Sequence, residues 1–534
     1  MSIARVALDV PLDEVFDYLA PQAGPDDIGR RVVVPFGRRE AVGVIVALAE
    51  ASSIPVAKLK PVRAILRDAP ALSAADLTLL RFCADYYHHP LGEVVLNALP
   101  TRLRQADAPS PLRLRYALTE AGRALQPDDL PRQAAVRRRV LVLLQDKGAV
   151  FREDVSALSP SAPQALKGFL AQGWVTEEEA LPDIPAVGEA APPAVPELTP
   201  SQAAAVEAVV AVGRCFGVWL LHGITGSGKT EVYLRLVESA LQQGGQALVL
   251  VPEINLTPQL ESRIRRRFPG KTLVTLHSAM AEVERAHHWL LAQAGRADIV
   301  LGTRLSVFTP LPRLALIVVD EEHDASYKQQ EGLRYSARDV AVARASQADV
   351  PVLLGSATPS LESWHNARSG RYAVLELPER AAEGAALPDI HLVDTRRFTP
   401  WQGFTQPLLQ AIEARLARGE QSLVFINRRG FAPVLFCGAC GWVAPCHRCN
   451  ARLVVHLREH RLRCHHCGHE ERIPVACPGC GNVDLTTLGH GTQRVEETLV
   501  ERFPGARILR VDRDSTRRKH ALKNMLEQVH AGEA

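Results

Sequence analysis

Apolar residues in the middle of the chain fall into short continuous runs, separated by stretches with helical periodicity. The runs are Gly217–His222, Ala247–Pro252, Thr272–His277, Ile299–Gly302, Leu314–Asp320 and Val350–Gly355. A strand that is buried on both faces needs apolar side chains on both, so such runs are typical of a parallel sheet covered by helices. The pattern predicts an α/β lobe over residues 198–388. Its first helix has Thr199 as N-cap and Pro200 at the first helical position.

The N-terminal part of the chain alternates apolar and polar residues instead, as strands with one solvent-facing side do. Strand-like runs occupy Ala4–Val10, Arg31–Pro35 and Gly43–Ala47, and a helical pattern follows at Leu77–Tyr87. We expect a small β-rich domain over residues 1–109. Residues 112–180 carry short helical patterns that suit a winged helix, although any small helical insert would give a similar pattern.

Proline-rich segments separate these regions. Residues 181–197 contain five prolines, a composition that stiffens a chain without packing a core, so we expect an interdomain linker there. A shorter joint is expected at 109–111. Beyond the α/β lobe, strands are predicted at Leu392–Asp394, Ser422–Asn427 and Arg507–Asp512. Residues 389–534 would then form an incomplete second lobe that contains a cysteine-rich insertion over residues 436–483.

The overall composition changes this picture little. The chain has 534 residues, of which 47% are hydrophobic and 23% charged, which excludes a coiled coil, collagen and wholesale disorder. Its net charge of +3 means that any nucleic-acid surface must be a local patch. The sequence shows no secretory signal and no apolar stretch of membrane-spanning length, so we expect a cytoplasmic protein.

A glycine-rich segment follows the first run of the α/β lobe directly. It has the form G-x-x-x-x-G-K-T and includes Gly223, Thr225, Gly226, Ser227, Gly228, Lys229 and Thr230. Backbone N–H groups of such a loop cradle phosphate, the lysine reaches the β- and γ-phosphates, and the threonine ligates Mg²⁺. A chance glycine-rich loop is the alternative, but the predicted strand before it and helix after it favour an ATP site.

The run Leu314–Asp320 ends in consecutive acidic residues, which read Asp-Glu-Glu-His over 320–323. At the end of a buried strand, Asp320 would lie beside the Mg²⁺ ion and Glu321 would polarise the attacking water. A solvated turn would also carry such residues. Their position about ninety residues after the phosphate loop favours the catalytic interpretation.

Together with Gly355–Pro359 (Gly-Ser-Ala-Thr-Pro), the acidic segment resembles motifs II and III of superfamily 2 helicases. The resemblance implies that Ser356 and Thr358 link the γ-phosphate to movement along a strand. It also implies that Gln202, upstream of the phosphate loop, recognises adenine. The alternative for Gln202 is a solvated helix residue.

Further segments resemble the PriA family of replication restart helicases, also known as primosomal protein N′, over essentially the whole chain. They are Val251–Gln259, Gly302–Arg304, Asp320–Gln330, Arg334–Tyr335, Arg338–Asp339 and Asn427–Gly430. The resemblance implies a multidomain, mainly α/β fold with RecA-like lobes. It also implies an ATP-dependent 3′→5′ DNA helicase that recognises stalled or abandoned replication forks and starts primosome assembly.

The same resemblance implies cofactors and partners. The cofactors would be ATP, Mg²⁺ and two Zn²⁺ ions. The partners would be forked and single-stranded DNA, other primosome proteins, single-stranded-DNA-binding protein and the machinery that loads the replicative helicase. Two alternatives stay open: a non-catalytic scaffold that binds DNA, and a fork-remodelling translocase from another branch of superfamily 2.

DNA contacts are implied in two places. In the family, the loop after the acidic segment is aromatic, and Tyr327, Lys328 and Tyr335 would contact DNA there together with Arg304. A base stacked on an aromatic ring is worth about 1–3 kcal/mol. The alternative is that both tyrosines pack in the core.

The N-terminal domain resembles the family's pocket for the 3′ end of a nascent strand. The residues implied to contact DNA there are Phe16, Asp17, Tyr18, Gly37 and Lys60. The aromatic rings would stack on the terminal base, the acid would accept a hydrogen bond from the 3′ hydroxyl, and Lys60 would hold phosphate. From the residues alone, Phe16 and Tyr18 are equally consistent with core positions.

Eight of the ten cysteines form four C-x-x-C pairs, a pattern that indicates metal rather than disulfides in a chain without a secretory signal. Eight thiolates suit two closed tetrahedral zinc sites, with disulfides or an iron–sulfur cluster as alternatives. Only five residues separate Cys440 from Cys446, whereas the longer segment after Cys449 allows a hairpin over Arg452–Arg463. The spacing therefore favours a nested arrangement, which the resemblance also implies. One site would be Cys437, Cys440, Cys477 and Cys480, and the other Cys446, Cys449, Cys464 and Cys467.

Two motifs of the family are not found in the second lobe. Gly491–Glu497 resembles the segment before them, but motifs V and VI, the latter a Q-x-x-G-R-x-G-R run, do not occur in the sequence. Because motif VI supplies an arginine to the γ-phosphate, we expect a C-terminally truncated chain with impaired unwinding. Loss of such an arginine costs about 10³–10⁵-fold in hydrolysis rate in other NTPases.

Overall fold

The structure is a computed structural model. It describes residues 2–105, 113–131, 133–180, 182, 195–252, 257–381, 388–426, 434–456, 459–488, 492–512, 515 and 521–534. The predicted joint at 109–111, most of the linker 181–197, and the segments 253–256, 427–430 and 491 lie outside these residues. The chain divides into two compact units, Met1–Ala385 and Ala386–Ala534. No helix in the described ranges has the length and apolar character needed to cross a bilayer.

The first unit begins with a five-stranded antiparallel sheet in the order β2-β1-β4-β3-β5. Its strands are β1 (Ile3–Leu8), β2 (Phe16–Leu19), β3 (Arg31–Phe36), β4 (Arg39–Ala49) and β5 (Ala64–Ile65). Two helices, α1 (Ala74–Tyr86) and α2 (Leu91–Ala98), follow. Helix α2 packs directly on β1 because Gly92 has no side chain; a Cβ there would overlap the carbonyl oxygen of Leu8. The predicted β-rich N-terminal domain is confirmed.

A smaller antiparallel sheet in the order β7-β6-β8 follows. Its elements are β6 (Arg113–Leu118), α3 (Glu120–Ala124), α4 (Ala135–Lys147), β7 (Ala149–Phe151), α5 (Arg152–Leu158), α6 (Ala162–Ala171) and β8 (Val175–Ala180). Tyr116, Leu141 and Phe169 are central to its own hydrophobic core. Four helices packed on a three-stranded sheet suit the winged helix expected from the sequence, and that assignment stays a prediction.

The rest of the first unit is a seven-stranded parallel sheet in the order β11-β12-β10-β13-β14-β9-β15. The strands are β9 (Gly217–Gly223), β10 (Gln246–Leu250), β11 (Leu273–Leu276), β12 (Ile299–Gly302), β13 (Leu314–Asp320), β14 (Pro351–Ser356) and β15 (Ala373–Leu377). The helices are α7 (Pro200–Val212), α8 (Lys229–Gln242), α9 (Thr257–Arg267), α10 (Glu282–Gln293), α11 (Ala337–Ala348) and α12 (Leu361–Arg368). All six predicted strands are present, and β15 is an additional edge strand.

Helices cover both faces of this sheet, which is why its strands read as continuous apolar runs. Ile317 and Val319 of β13 belong to the core on one face, and Leu316 and Val318 to the core on the other. Because all strands are parallel, their carboxyl ends lie at one edge, where α/β sheets bind ligands. The phosphate loop and the acidic segment both start at this edge.

The second unit contains an antiparallel sheet in the order β19-β18-β17-β16-β20. Its elements are α13 (Gln406–Ala417), β16 (Val434–Cys437), β17 (Val454–His456), β18 (Arg461–Arg463), β19 (Glu470–Arg472), β20 (Leu485–Leu488), α14 (Thr492–Arg502) and α15 (Ala521–His530). Strands β17 and β18 form the hairpin predicted between the cysteine pairs.

The prediction of three strands in the second lobe is wrong. The described parts of Leu392–Asp394, Ser422–Asn427 and Arg507–Asp512 form neither helix nor strand. Leu392 and Leu423 are 95% and 94% exposed. A strand forms only where a neighbouring strand satisfies its backbone groups, and these segments pair with no strand in the described ranges.

Candidate nucleotide site and zinc centres

The phosphate loop joins β9 to α8 and turns sharply. Gly226 and Gly228 have φ angles of +83° and +79°, a region that favours glycine. Ser227 is buried, Thr225 is exposed, and Thr230 lies half-buried in the first turn of α8. The ammonium group of Lys229 donates to the carbonyl oxygen of Gly223 at 3.0 Å. The side chain of Lys229, which the sequence predicts to bind phosphate, therefore folds back over the phosphate loop.

The side chain of Gln202, in α7, is hydrogen-bonded to the backbone of the phosphate loop. Its carboxamide oxygen accepts a hydrogen bond from the backbone N–H of Thr199 at 3.0 Å. Its Nε2 donates to the carbonyl oxygen of Ser227 at 2.8 Å. Because Gln202 is only 3% exposed, the alternative of a solvated helix residue is wrong. Its proposed contact with adenine stays a prediction.

Asp320 ends β13 opposite the loop, and its carboxylate accepts a hydrogen bond from the hydroxyl of Tyr233 at 2.9 Å. Burial raises the pKa of Asp320, and the charge of Glu321 raises it further. The Tyr233 hydrogen bond and the Lys229 ammonium both lower the pKa of Asp320. The charges of Lys229 and Glu321 thus act in opposite directions on the Asp320 carboxylate.

Glu321 follows at a φ angle of +47°. A side chain in this left-handed region is strained, and such residues concentrate at functional sites. Its carboxylate lies 3.6 Å from Nδ1 of His323. The same nitrogen lies 2.8 Å from Oγ of Ser356, and Nε2 of His323 lies 3.4 Å from the Thr358 hydroxyl. His323 therefore joins the acidic segment to the Ser-Ala-Thr segment.

Glu322 points away from the loop into a buried polar network that the sequence does not reveal. Its side chain is fully buried and lies 3.2 Å from the guanidinium of Arg338. It also accepts hydrogen bonds from the backbone N–H and hydroxyl of Ser360, at 2.7 and 3.0 Å, and from the Ser363 hydroxyl at 2.8 Å. The network ties the end of β13 to α11 and α12.

The two tyrosines predicted to stack on DNA are buried, and that prediction needs correction. Tyr327 is 2% exposed and Tyr335 is 3% exposed, so neither ring presents a face to a base. The Tyr327 hydroxyl donates to the backbone carbonyl of Asp320 at 2.7 Å. Lys328 is exposed. Arg304 donates to the carbonyl oxygen of Ser326 at 2.8 Å.

The residues predicted to bind a DNA 3′ end in the N-terminal domain also include both buried and exposed side chains. Tyr18 is 5% exposed and donates to the carbonyl of Pro35 at 3.2 Å, so it is a core residue rather than a stacking surface. Phe16 is half-buried and packs edge-on against Phe36, with ring centroids 5.4 Å apart. Asp17 lies 3.7 Å from the guanidinium of Arg5. Gly37 and Lys60 are exposed.

The eight cysteines gather into two groups in the nested arrangement. In each group the sulfur atoms all lie within 4.8 Å of one another; the groups are Cys437, Cys440, Cys477 and Cys480, and Cys446, Cys449, Cys464 and Cys467. The shortest separations are 3.5–3.6 Å. A zinc ion with four bonds of about 2.3 Å places its sulfurs about 3.8 Å apart, so both groups fit zinc. Four thiolates leave no open position, which makes the sites structural.

Three parts of the chain match models of known protein families. Residues 5–100 match a model of the 3′ DNA-binding domain of PriA, and residues 199–367 match the DEAD/DEAH box helicase model. Residues 446–472 match the cysteine-rich region of the PriA DNA helicase. The first two matches cover the β-rich sheet and the parallel lobe, and the third covers the inner cysteine group.

Whole-chain similarity extends these matches. The chain is 40% identical over 542 residues to the replication restart protein PriA of Haemophilus influenzae, covering 100% of this chain and 73% of that one. It is 32% identical over 610 residues to the PriA of Bacillus subtilis, covering 100% of this chain and 75% of that one. This chain therefore belongs to the PriA family of replication restart proteins, a family of ATP-dependent DNA helicases with a zinc-binding cysteine-rich region.

Proposed function

We propose that ATP and Mg²⁺ bind between the phosphate loop and the end of β13. The observation that carries this proposal is the hydrogen bond of 2.9 Å from Tyr233 to the Asp320 carboxylate. Tyr233 lies on α8, the helix that begins at Lys229, so this bond joins the helix of the phosphate loop to the acidic segment at one edge of a parallel sheet. Gly223, Thr225, Gly226, Ser227 and Gly228 supply the loop. Thr230 and Asp320 are the residues that would hold Mg²⁺, which neutralises phosphate charge when it is bound.

Each side chain of the site then has its own role in ATP binding or hydrolysis. Lys229 exchanges its hydrogen bond to the Gly223 carbonyl for the β- and γ-phosphates. Glu321 lies free of the Glu322 network and accepts the proton of the attacking water. Ser356 and Thr358, which His323 joins to the acidic segment, link the γ-phosphate to movement along a strand. Gln202 recognises adenine next to the loop.

We further propose that hydrolysis drives 3′→5′ unwinding at stalled or abandoned replication forks and starts primosome assembly. Phe16, Asp17, Gly37 and Lys60 hold the 3′ end of a nascent strand, and Arg304 and Lys328 contact single-stranded DNA. Other primosome proteins, single-stranded-DNA-binding protein and the replicative helicase loader are the protein partners. The need for eight reduced thiolates supports a cytoplasmic location.

Polarity of unwinding tests this proposal. With ATP and Mg²⁺, we expect the chain to displace a strand from a duplex with a 3′ single-stranded tail and to leave a duplex with a 5′ tail intact. The rate of displacement should be low, because motifs V and VI do not occur in the sequence. Strand release is followed on a native gel or by a fluorophore–quencher pair. Equal release from both duplexes, or release without ATP, contradicts the proposal.

Tyr233→Phe tests the proposed Mg²⁺ site. The lost hydroxyl donates to the Asp320 carboxylate at 2.9 Å and lowers its pKa in the native protein. The variant therefore holds this carboxylate less firmly, and its pKa is higher. We expect the Mg²⁺ concentration for half-maximal ATP hydrolysis to rise about 10-fold or more, as for other residues that orient a metal ligand. The acid limb of the pH–rate profile should move to higher pH.

The matched control is Tyr116→Phe, which removes a hydroxyl from another buried tyrosine in the small β6–β8 module. Its Mg²⁺ requirement should equal that of the native protein. If Tyr233→Phe hydrolyses ATP more slowly at every Mg²⁺ concentration with no change in the half-maximal value, Tyr233 has a purely structural role.

A further inference from the structure

The N-terminal domain and the parallel lobe share one hydrophobic core. Leu80 of α1 and Val340 of α11 both belong to it. Hydrogen bonds cross the same boundary; for example, the side chain of Gln347 in α11 donates to the carbonyl oxygen of Ala75 in α1 at 2.6 Å. Because a close-packed interior transmits strain, contacts at this boundary can relay a change in one part to the other.

Tyr87, the residue that caps the end of α1, contacts the loop that follows the acidic segment. Its hydroxyl accepts a hydrogen bond from the backbone N–H of Ser336 at 3.2 Å. The ammonium nitrogen of Lys328 lies 5.4 Å from the centre of its ring, which is within cation–π range. Lys328 and Ser336 are themselves paired in an antiparallel bridge that closes the loop 328–336. Tyr87 thus contacts both ends of this loop at the point where it closes.

Both ends of the loop lead directly to the acidic segment. The loop begins just after Tyr327, whose hydroxyl donates to the backbone carbonyl of Asp320 at 2.7 Å. It ends at Ser336, the N-cap of α11. Arg338, in the first turn of that helix, lies 3.2 Å from the buried carboxylate of Glu322. A displacement of the closing point of the loop would therefore act on the acidic segment from two sides.

We propose that Tyr87 is a positioning residue through which DNA bound to the N-terminal domain alters the nucleotide site. The inference rests on the proposed function, in which the N-terminal domain holds a DNA 3′ end and the acidic segment acts on ATP. Tyr87 contacts neither DNA nor nucleotide in this role. Its hydroxyl fixes Ser336 and its ring fixes Lys328, so the loop 328–336 and the acidic segment follow the N-terminal domain.

The test is the affinity for fluorescent mant-ADP, measured with and without saturating forked DNA that has a free 3′ end. In the native chain, DNA should change the Kd for ADP about fivefold or more, as two coupled sites do. In Tyr87→Leu the change should fall below about twofold, because the coupling is lost. Tyr87→Phe keeps the ring and loses the hydroxyl, so its change should be intermediate. Tyr372→Leu is the matched control and should behave as the native chain, because Tyr372 is also half-buried against the shared core.

Hydrogen exchange tests the same route without nucleotide. The Ser336 amide loses its acceptor in Tyr87→Phe, so peptides covering 328–336 should exchange about tenfold faster, at an unchanged melting temperature. Forked DNA should alter exchange in this loop in the native chain and not in Tyr87→Leu.

The proposal is overturned if DNA changes ADP affinity or loop exchange equally in the native chain and in Tyr87→Leu. It is also overturned if DNA changes neither quantity in the native chain. A native chain that binds no ADP would instead contradict the proposed ATP site, and the exchange result would then decide the role of Tyr87.

Discussion

Replacing Lys229 with alanine will lower the rate of DNA-stimulated ATP hydrolysis by on the order of 10²–10³-fold, the usual effect of removing one charged or hydrogen-bonding group that stabilises a transition state. The ammonium group lies over the phosphate loop, 3.0 Å from the carbonyl oxygen of Gly223. No other lysine lies in the loop 223–230. Phosphate release in the presence of single-stranded DNA measures the effect directly.

Lys271→Ala is the matched control, since Lys271 is an exposed lysine of the same lobe. Its hydrolysis rate should be that of the native protein. Binding of forked DNA without nucleotide should survive in Lys229→Ala, because the lysine takes no part in the proposed DNA contacts. Hydrolysis near the native rate in Lys229→Ala would place the reaction outside this loop.

Replacing Cys464 with serine will remove one of two zinc ions per chain and unfold the inner zinc site. The apparent binding energy of a structural zinc is about 10–16 kcal/mol, far more than the small cluster around Leu453 and Leu462 can replace. Metal analysis of the purified chain should find two zinc ions in the native protein and one in the variant. Cys437→Ser should also lose one ion, from the outer site.

Cys215→Ser is the control for the zinc prediction, because Cys215 is exposed and belongs to neither group. It should keep both ions. Retention of two ions in Cys464→Ser would show that another residue completes the site. A native protein with a single ion would contradict the nested arrangement itself.

The parallel lobe could be predicted from the sequence because burial on both faces leaves a local signature. Each predicted strand, such as Ile299–Gly302, is an uninterrupted apolar run. The phosphate loop and the acidic segment are equally local, since each needs a fixed residue order at a strand end. The spacing of the cysteine pairs favours the nested groups, because it limits how the chain can fold back, and the family resemblance implies the same arrangement.

Contacts that depend on the assembled fold could not be predicted in this way. The sequence cannot tell whether Tyr327 and Tyr335 face DNA or the core, because an aromatic residue suits both environments. Tyr233 lies four residues after Lys229 and shares its helix face, but its contact with Asp320 depends on how β13 packs beside α8. The predicted strand Ser422–Asn427 has the right composition, yet composition does not supply a partner strand.

The buried carboxylate of Glu322 has a consequence for how this chain can diverge. It is held by Arg338 and by the N-terminal turn of α12. Loss of Arg338 would leave the fully buried Glu322 carboxylate without its cation, at a cost of about 3–5 kcal/mol. Loss of Glu322 would cost less, because Arg338 also pairs with Asp339 at 2.8 Å. The basic residue at position 338 can therefore change only after the acid at position 322 has gone, so we expect relatives that lack the base to lack the acid as well.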